Sequence, residues 1–196
     1  MQLQPRDTGW IEVICGSMFS GKTEELIRRC RLARIAKQSV VIFKPRLDDR
    51  FHERQIVSHS DQRMESYPIV LAGEILDRID EKVNVVGVDE AQFFGSELVE
   101  VCEELANRGL RVIVAGLDQD YQGRPFEPIP SLLAVAEFVT KNLAICVKCG
   151  NPANRSQRIG SSRQRVLVGA QDKYEARCRH CFTPEPIEES EQDGDA

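Results

Sequence analysis

Residues 16–23 read Gly16-Ser17-Met18-Phe19-Ser20-Gly21-Lys22-Thr23, which fits the pattern G-x-x-x-x-G-K-[ST]. A loop of this kind wraps backbone N–H groups around phosphate oxygens, and the positive end of the helix that follows adds to the attraction. Lys22 is the residue to reach the β- and γ-phosphates of ATP, and Thr23 offers a hydroxyl to Mg2+. Further along, Val83–Val88 is an apolar run closed by Asp89 and Glu90. An acid at the C-terminal end of such a strand is the usual second ligand for magnesium, here Asp89. Glu90 beside it is the candidate general base, taking a proton from water or from a substrate hydroxyl. The residue type does not choose between those two acceptors.

A second group of residues points to a metal. Cys146 and Cys149 form one C-x-x-C pair and Cys178 and Cys181 another, with 28 residues between the pairs. Four thiolates in a reducing compartment suit tetrahedral Zn2+ in a closed, structural site, with redox pairs as the alternative. His180 lies inside the second pair and reads as a bystander. The remaining cysteines, Cys15, Cys30 and Cys102, sit in apolar or helical surroundings and read as core. The stretch Gly150–Arg177, held at both ends by the metal, is expected to be a long loop able to close over a small ligand.

These residues need a scaffold, and the sequence describes one. Strands are predicted at Trp10–Cys15, Ser39–Lys44, Val83–Val88 and Arg111–Ala115, as short continuous apolar runs typical of buried parallel strands. Helices are predicted at Lys22–Ala36, with Leu26, Cys30 and Ala33 on one stripe, and at Ser96–Asn107, stopped by Gly109. A helix at Ser131–Glu137 and a strand at Phe138–Ile145 close the unit. Strand–helix alternation implies right-handed crossovers and an α/β sheet with helices on its faces. Arg28, Arg29, Arg31 and Arg34 on the first helix read as a solvated or subunit-facing surface.

Composition bounds the function. The chain has 196 residues, with 26 Lys and Arg against 31 Asp and Glu, giving a net charge of −5. Six of those acids lie in the tail 184–196, which contains no base, so the body has 25 acids against 26 bases, a net of +1. A near-neutral body lacks the electrostatic footprint of a nucleic-acid binder, and the tail reads as disordered and solvating. No apolar run is long enough to span a bilayer, and the N-terminal residues lack the apolar centre of a signal peptide. The expectation is a cytoplasmic protein without membrane or nucleic-acid partners.

The motifs taken together, GSMFSGKT, LDDRF, VDEAQFF, AGLDQDYQGRPF, the first C-x-x-C and VGAQDKYEARCRHC, are similar to those of the zinc-containing, cytosolic type of thymidine kinase, over residues 10–182. The resemblance implies a P-loop, RecA-like parallel sheet over residues 1–141, a zinc-binding unit with a lasso-like lid loop over 142–183, and the acidic tail 184–196. It implies phosphate transfer from MgATP to the 5′-hydroxyl of thymidine, with Glu90 as base and Arg50 beside the transferring phosphate. It places Asp48 near magnesium and extends the ATP and magnesium site along Asp89, Glu90, Ala91 and Gln92. Met18, Phe93, Leu117, Tyr121 and Phe126 match the walls of the thymidine pocket. Tyr174 and the backbone of Leu167, Val168 and Gly169 match the lasso that hydrogen-bonds the base, and Ser156 matches a small hydroxyl residue facing it. Tyr121 stands where some members have Phe, and Ala91 where some have Gly. The resemblance further implies a homotetramer and thymidine triphosphate (dTTP) as a feedback inhibitor filling both subsites.

Two other readings of the same residues compete with it. One is an ATPase working on nucleic acid, since Asp89-Glu90-Ala91-Gln92 is superficially like a helicase box. The other is a zinc-stabilised nucleotide-binding regulator without turnover.

Overall fold

The computed structural model describes residues 8–46, 55–57, 63–159 and 173–184. Six parallel strands form the central sheet in the order β5-β2-β6-β7-β1-β8. They are β1 (Trp10–Gly16), β2 (Val40–Pro45), β5 (Tyr67–Ile69), β6 (Val85–Val88), β7 (Arg111–Gly116) and β8 (Phe138–Asn142). A short hairpin, β3 (Gln55–Val57) with β4 (Arg63–Glu65), lies outside this sheet. The helices are α1 (Lys22–Ile35), α2 (Glu74–Asp77), α3 (Glu97–Asn107) and α4 (Ile129–Val135).

Alternate residues of each strand face opposite sides, and the two sides bury different helices. On one side Ile14, Ile42, Val85, Ile113 and Ala115 pack against Leu26, Ile27, Cys30 and Ala33 of α1. On the other, Ile11, Val13, Val86, Val88, Val112 and Val114 pack against α3 (Leu98, Val101, Cys102, Leu105) and α4 (Ile129, Leu132). Both layers are dry, which is why the strands read as unbroken apolar runs. Gly87 is small for a reason: a Cβ there would lie 3.2 Å from Ile42 Cγ1 and 3.3 Å from Cys30 Sγ, so α1 packs close over β6.

The predicted scaffold is present, with edges shifted by one or two residues. The helix expected at 131–137 starts at Ile129. The strand expected at 138–145 divides: β8 ends at Asn142, and β9 (Ala144–Ile145) leaves the sheet to pair with β10 (Pro152–Ala153). The edge strand β5, the hairpin β3–β4 and the single-turn helix α2 carried no periodic signal, because three or four residues are too few to show one.

The described residues of Gly150–Arg177 include strands. They hold β10 and an antiparallel hairpin, β11 (Arg155–Arg158) with β12 (Tyr174–Arg177). The small unit's own core is Ala144, Cys146, Ala153, Ala176 and Cys178, with Phe19 and Cys181 packed on it. Among the described residues this apolar cluster is built of alanines and cysteines, which makes a small core that a metal staple and docking would support.

Candidate active site and metal centre

The site forms where strand C-termini meet, with β7 lying between β1 and β6. Parallel α/β sheets bind ligands in the crevice outside that edge. The loop after β1 delivers residues 16–21 to α1, and it takes backbone angles that few residues tolerate: Phe19 has φ +64° and Gly21 φ +78°. Gly16 has φ +145°, and a Cβ there would lie 2.2 Å from the Asn142 carbonyl oxygen and 2.9 Å from Ser20 Oγ. No other residue fits. Ser20 Oγ is buried without a hydrogen-bond partner. A buried hydroxyl left unpaired inside an N–H-rich turn is what a phosphate oxygen would satisfy.

Lys22 Nζ donates to the Ser17 carbonyl at 2.8 Å, which holds the lysine across the loop. Thr23 Oγ1 donates to Asp89 Oδ1 at 3.2 Å. The loop and the acidic strand end, 66 residues apart in sequence, thus share one contact. Asp89 is buried, and its N–H donates to the Phe43 carbonyl of β2 at 2.9 Å. This oxygen pair suits a hard cation such as Mg2+.

Glu90 follows in the left-handed region, φ +49° and ψ +41°, and starts the short 3-10 turn Ala91–Phe93. A non-glycine residue held there costs about 1 kcal/mol, and such conformations cluster at functional sites. Its carboxylate accepts from Gln92 Nε2 at 2.5 Å, and Gln92 Oε1 accepts from the Leu117 N–H at 2.9 Å. The two phenylalanines that follow part company: Phe94 is core, while Phe93 is half-buried.

The C-terminal unit docks on the phosphate loop. Ser156 Oγ accepts from the Met18 N–H at 3.0 Å, and Ser17 Oγ donates to the Ala153 carbonyl at 3.3 Å. Arg155 donates to Gln119 and lies over the Phe182 ring at 5.9 Å. Arg158, which sequence reasoning passed over, is buried. Its guanidinium lies 3.6 Å over the Tyr121 ring and donates to the Tyr174 hydroxyl at 3.0 Å. It therefore joins a residue after β7 to one on β12. No local pattern around Arg158 could have signalled this, since its partners lie 37 and 16 positions away.

Of the residues singled out from sequence, the structure brings together the phosphate loop with Asp89, Glu90 with Gln92 and Leu117, Met18 with Ser156, and Tyr121 with Tyr174 through Arg158. Met18, Leu117 and Phe126 are half-buried. Asp48, Arg50, Leu167, Val168 and Gly169 lie outside the described residues. Of the four arginines expected on a solvated or subunit-facing surface, Arg29 is not a solvated one: it lies 2.7 Å from Glu12 Oε2 and 2.8 Å from Thr140 Oγ1.

Burial first, then the charge of Asp118, pushes the Cys15 thiol up to about 11, and burial pushes Cys30 and Cys102 up to about 12. All three stay protonated at neutral pH and supply no thiolate nucleophile.

The sulfurs of Cys146, Cys149, Cys178 and Cys181 lie within 4.8 Å of one another. Cys149 Sγ is 3.6 Å from Cys178 Sγ and 3.5 Å from Cys181 Sγ. Zn–S bonds of 2.3 Å in a tetrahedron put sulfurs about 3.8 Å apart, whereas a disulfide needs about 2.05 Å. The cluster has the dimensions of a four-thiolate zinc site, with all four sulfurs converging on one point. Asn151 Nδ2 lies 3.4 Å from Cys149 Sγ, an outer partner that would steady the thiolate.

The thymidine kinase family profile matches residues 9–182. The chain belongs to the thymidine kinase family. A thymidine kinase of Rhodothermus sp. (strain ITI 518) is 61% identical over 176 residues, covering 90% of this chain and 82% of that one. A thymidine kinase of Bdellovibrio bacteriovorus is 55% identical over 177 residues, covering 90% and 87%. Among solved structures, domain III of the Thermotoga maritima replication initiation protein DnaA aligns at a TM-score of 0.40 and 18% identity, over 67% of this chain and 54% of that one. Membership of a thymidine kinase family implies ATP and Mg2+, and the phosphate loop with Thr23 and Asp89 is shaped to receive them. Among the described residues no helix is long and apolar enough to cross a membrane.

Proposed function

We propose that the chain is a thymidine kinase in deoxynucleotide salvage, converting ATP and thymidine to ADP and thymidine monophosphate. The observation that carries this reading is the placement of Glu90. It is not simply an acid next to a magnesium ligand: its carboxylate is fixed through Gln92 to the end of β7, where the proposed nucleoside wall begins with Leu117. In this reading the N–H groups of residues 16–21 with Lys22 hold the ATP phosphates. Thr23 and Asp89, with Asp48, hold Mg2+, which neutralises charge on the phosphates. Glu90 takes the proton of the 5′-hydroxyl as its oxygen attacks the γ-phosphorus, the bond from that phosphorus to the β–γ bridging oxygen breaks, ADP leaves with the electron pair, and Arg50 stabilises charge on the equatorial oxygens.

The nucleoside lies among Met18, Phe93, Leu117, Tyr121 and Phe126, closed by Tyr174, Ser156 and the backbone of 167–169. Closure over the base excludes water and favours transfer to the sugar over hydrolysis. The family resemblance adds dTTP as end-product inhibitor, a cytoplasmic homotetramer, and the division into residues 1–141, 142–183 and the tail 184–196.

The test is ADP release from MgATP with and without thymidine, in the wild type and in Glu90→Gln. Thymidine-dependent release is expected, and Glu90→Gln should lower kcat by ~10² to 10⁴ while keeping MgATP binding. Release driven by DNA or RNA, or no release at all, overturns the kinase reading. Near-normal turnover in Glu90→Gln removes the base assignment.

A further inference from the structure

We propose that Gln92 is the positioning residue of the transfer step, holding the Glu90 carboxylate against the end of β7; this rests on Glu90 being the base. Gln92 is 3% exposed, so its amide makes its hydrogen bonds inside the protein. One side of that amide meets the Leu117 N–H, which can only donate. The amide oxygen must therefore face Leu117, and the NH2 group must face Glu90. The observed contacts, 2.9 Å from Leu117 N to Oε1 and 2.5 Å from Nε2 to Glu90 Oε2, follow that assignment.

The amide has no room to turn away. A Cβ on Gly116 would come within 3.0 Å of Gln92 Oε1, so the backbone of β7 presses directly on it. Gln92 sits on the 3-10 turn Ala91–Phe93, whose first N–H bonds tie Phe93 to the Glu90 carbonyl at 3.1 Å and Phe94 to the Ala91 carbonyl at 3.1 Å. The turn and the amide together hold a residue whose backbone is in a conformation it would not choose (φ +49°).

The consequence is chemical. A free glutamate side chain samples several rotamers, and only one aims its basic oxygen at an incoming hydroxyl. Gln92 engages Oε2 and so fixes the plane and direction of the carboxylate. Because the other end of the amide is on Leu117, movement of the proposed nucleoside wall is transmitted to the base.

Gln92→Met keeps size and removes both hydrogen bonds. Gln92→Glu keeps an acceptor for Leu117 and puts a like charge against Glu90. We expect Gln92→Met to lower kcat about 10- to 100-fold, the scale of a misplaced catalytic group. The KM for thymidine should stay within about threefold, so that the loss is in kcat. Gln92→Glu should lose more kcat than Gln92→Met. In the Glu90→Gln background, Gln92→Met should cause no further loss, since it acts through Glu90. Multiplicative losses in the double variant, or a kcat within threefold of wild type in both single variants, overturn the proposal. If Glu90→Gln is itself near normal, the base reading fails and this one with it. If Glu90→Gln is inactive while Gln92→Met and Gln92→Glu are normal, only the positioning role fails.

Discussion

Arg158 shows how much one side chain can decide. Its planar guanidinium covers the face of Tyr121 at 3.6 Å and reaches the Tyr174 hydroxyl at 3.0 Å. Those two tyrosines are proposed walls of the nucleoside pocket from opposite parts of the chain, and Arg158 is what joins them. A buried cation–π contact and a charged hydrogen bond together contribute about 1–2 kcal/mol. Arg158→Met should therefore raise the thymidine KM about 5- to 30-fold in steady-state assays and change kcat little. Arg158→Lys should not rescue it, because an ammonium cannot lie flat on a ring and reach the hydroxyl at once. A normal KM in both variants would show that the tyrosines hold their places unaided.

At the level of elements, the sheet is fastened at the end remote from the site. Glu12 on β1 is 8% exposed at its side chain, and it binds Arg111 of β7 at 2.6 Å and Arg29 of α1 at 2.7 Å. Trp10 Nε1 donates to it at 2.7 Å, and Arg29 continues to Thr140 of β8. One carboxylate thus ties two strands and a helix, and through Arg29 a third strand. Burial pushes the Glu12 carboxyl up, but the hydrogen bonds of Arg111 and Trp10 and the charge of Arg111 outweigh it, so its pKa falls below the ordinary 4.5. A carboxyl held low in the folded chain adds stability that is present above the unfolded pKa and is lost as pH falls below about 4.5. Glu12→Gln should cost about 3 kcal/mol at pH 7, since it removes the carboxylate that pairs Arg111 and one of the two that pair Arg29. Denaturant melts should show the gap between the two proteins narrowing as the pH drops from 5 towards 3. A gap that does not change with pH would mean that the cost is packing and not charge.

For the whole molecule, the four-cysteine unit and the phosphate loop are in direct contact. The unit's core is alanines and cysteines with Phe19 of the loop packed on it, and Ser17 and Met18 bond to Ala153 and Ser156. A core this thin cannot hold itself, and a structural zinc contributes folding free energy directly. Removing zinc with a chelator should then weaken MgATP binding as well as raise the thymidine KM. Calorimetric titration of MgATP into protein with verified metal loss measures the first effect. An unchanged MgATP affinity would show that the loop keeps its shape without the unit.

The sequence by itself determined the phosphate loop, the acidic strand end, the four sulfurs and the main strands and helices. Each of these is a short-range pattern: glycines at fixed steps around a turn, paired cysteines three positions apart, apolar periods matching a strand or a helix. Tertiary structure alone decided that Phe94 goes to the core and Phe93 does not, that Arg29 turns inward to Glu12, that the stretch after Cys149 forms a hairpin, and that Gln92 and Arg158 join distant residues. Those outcomes depend on which groups meet across the sheet edge. Side chains with the same local signature, two adjacent phenylalanines or four arginines on one helix, are told apart only by the neighbours that burial and hydrogen bonding assign to each.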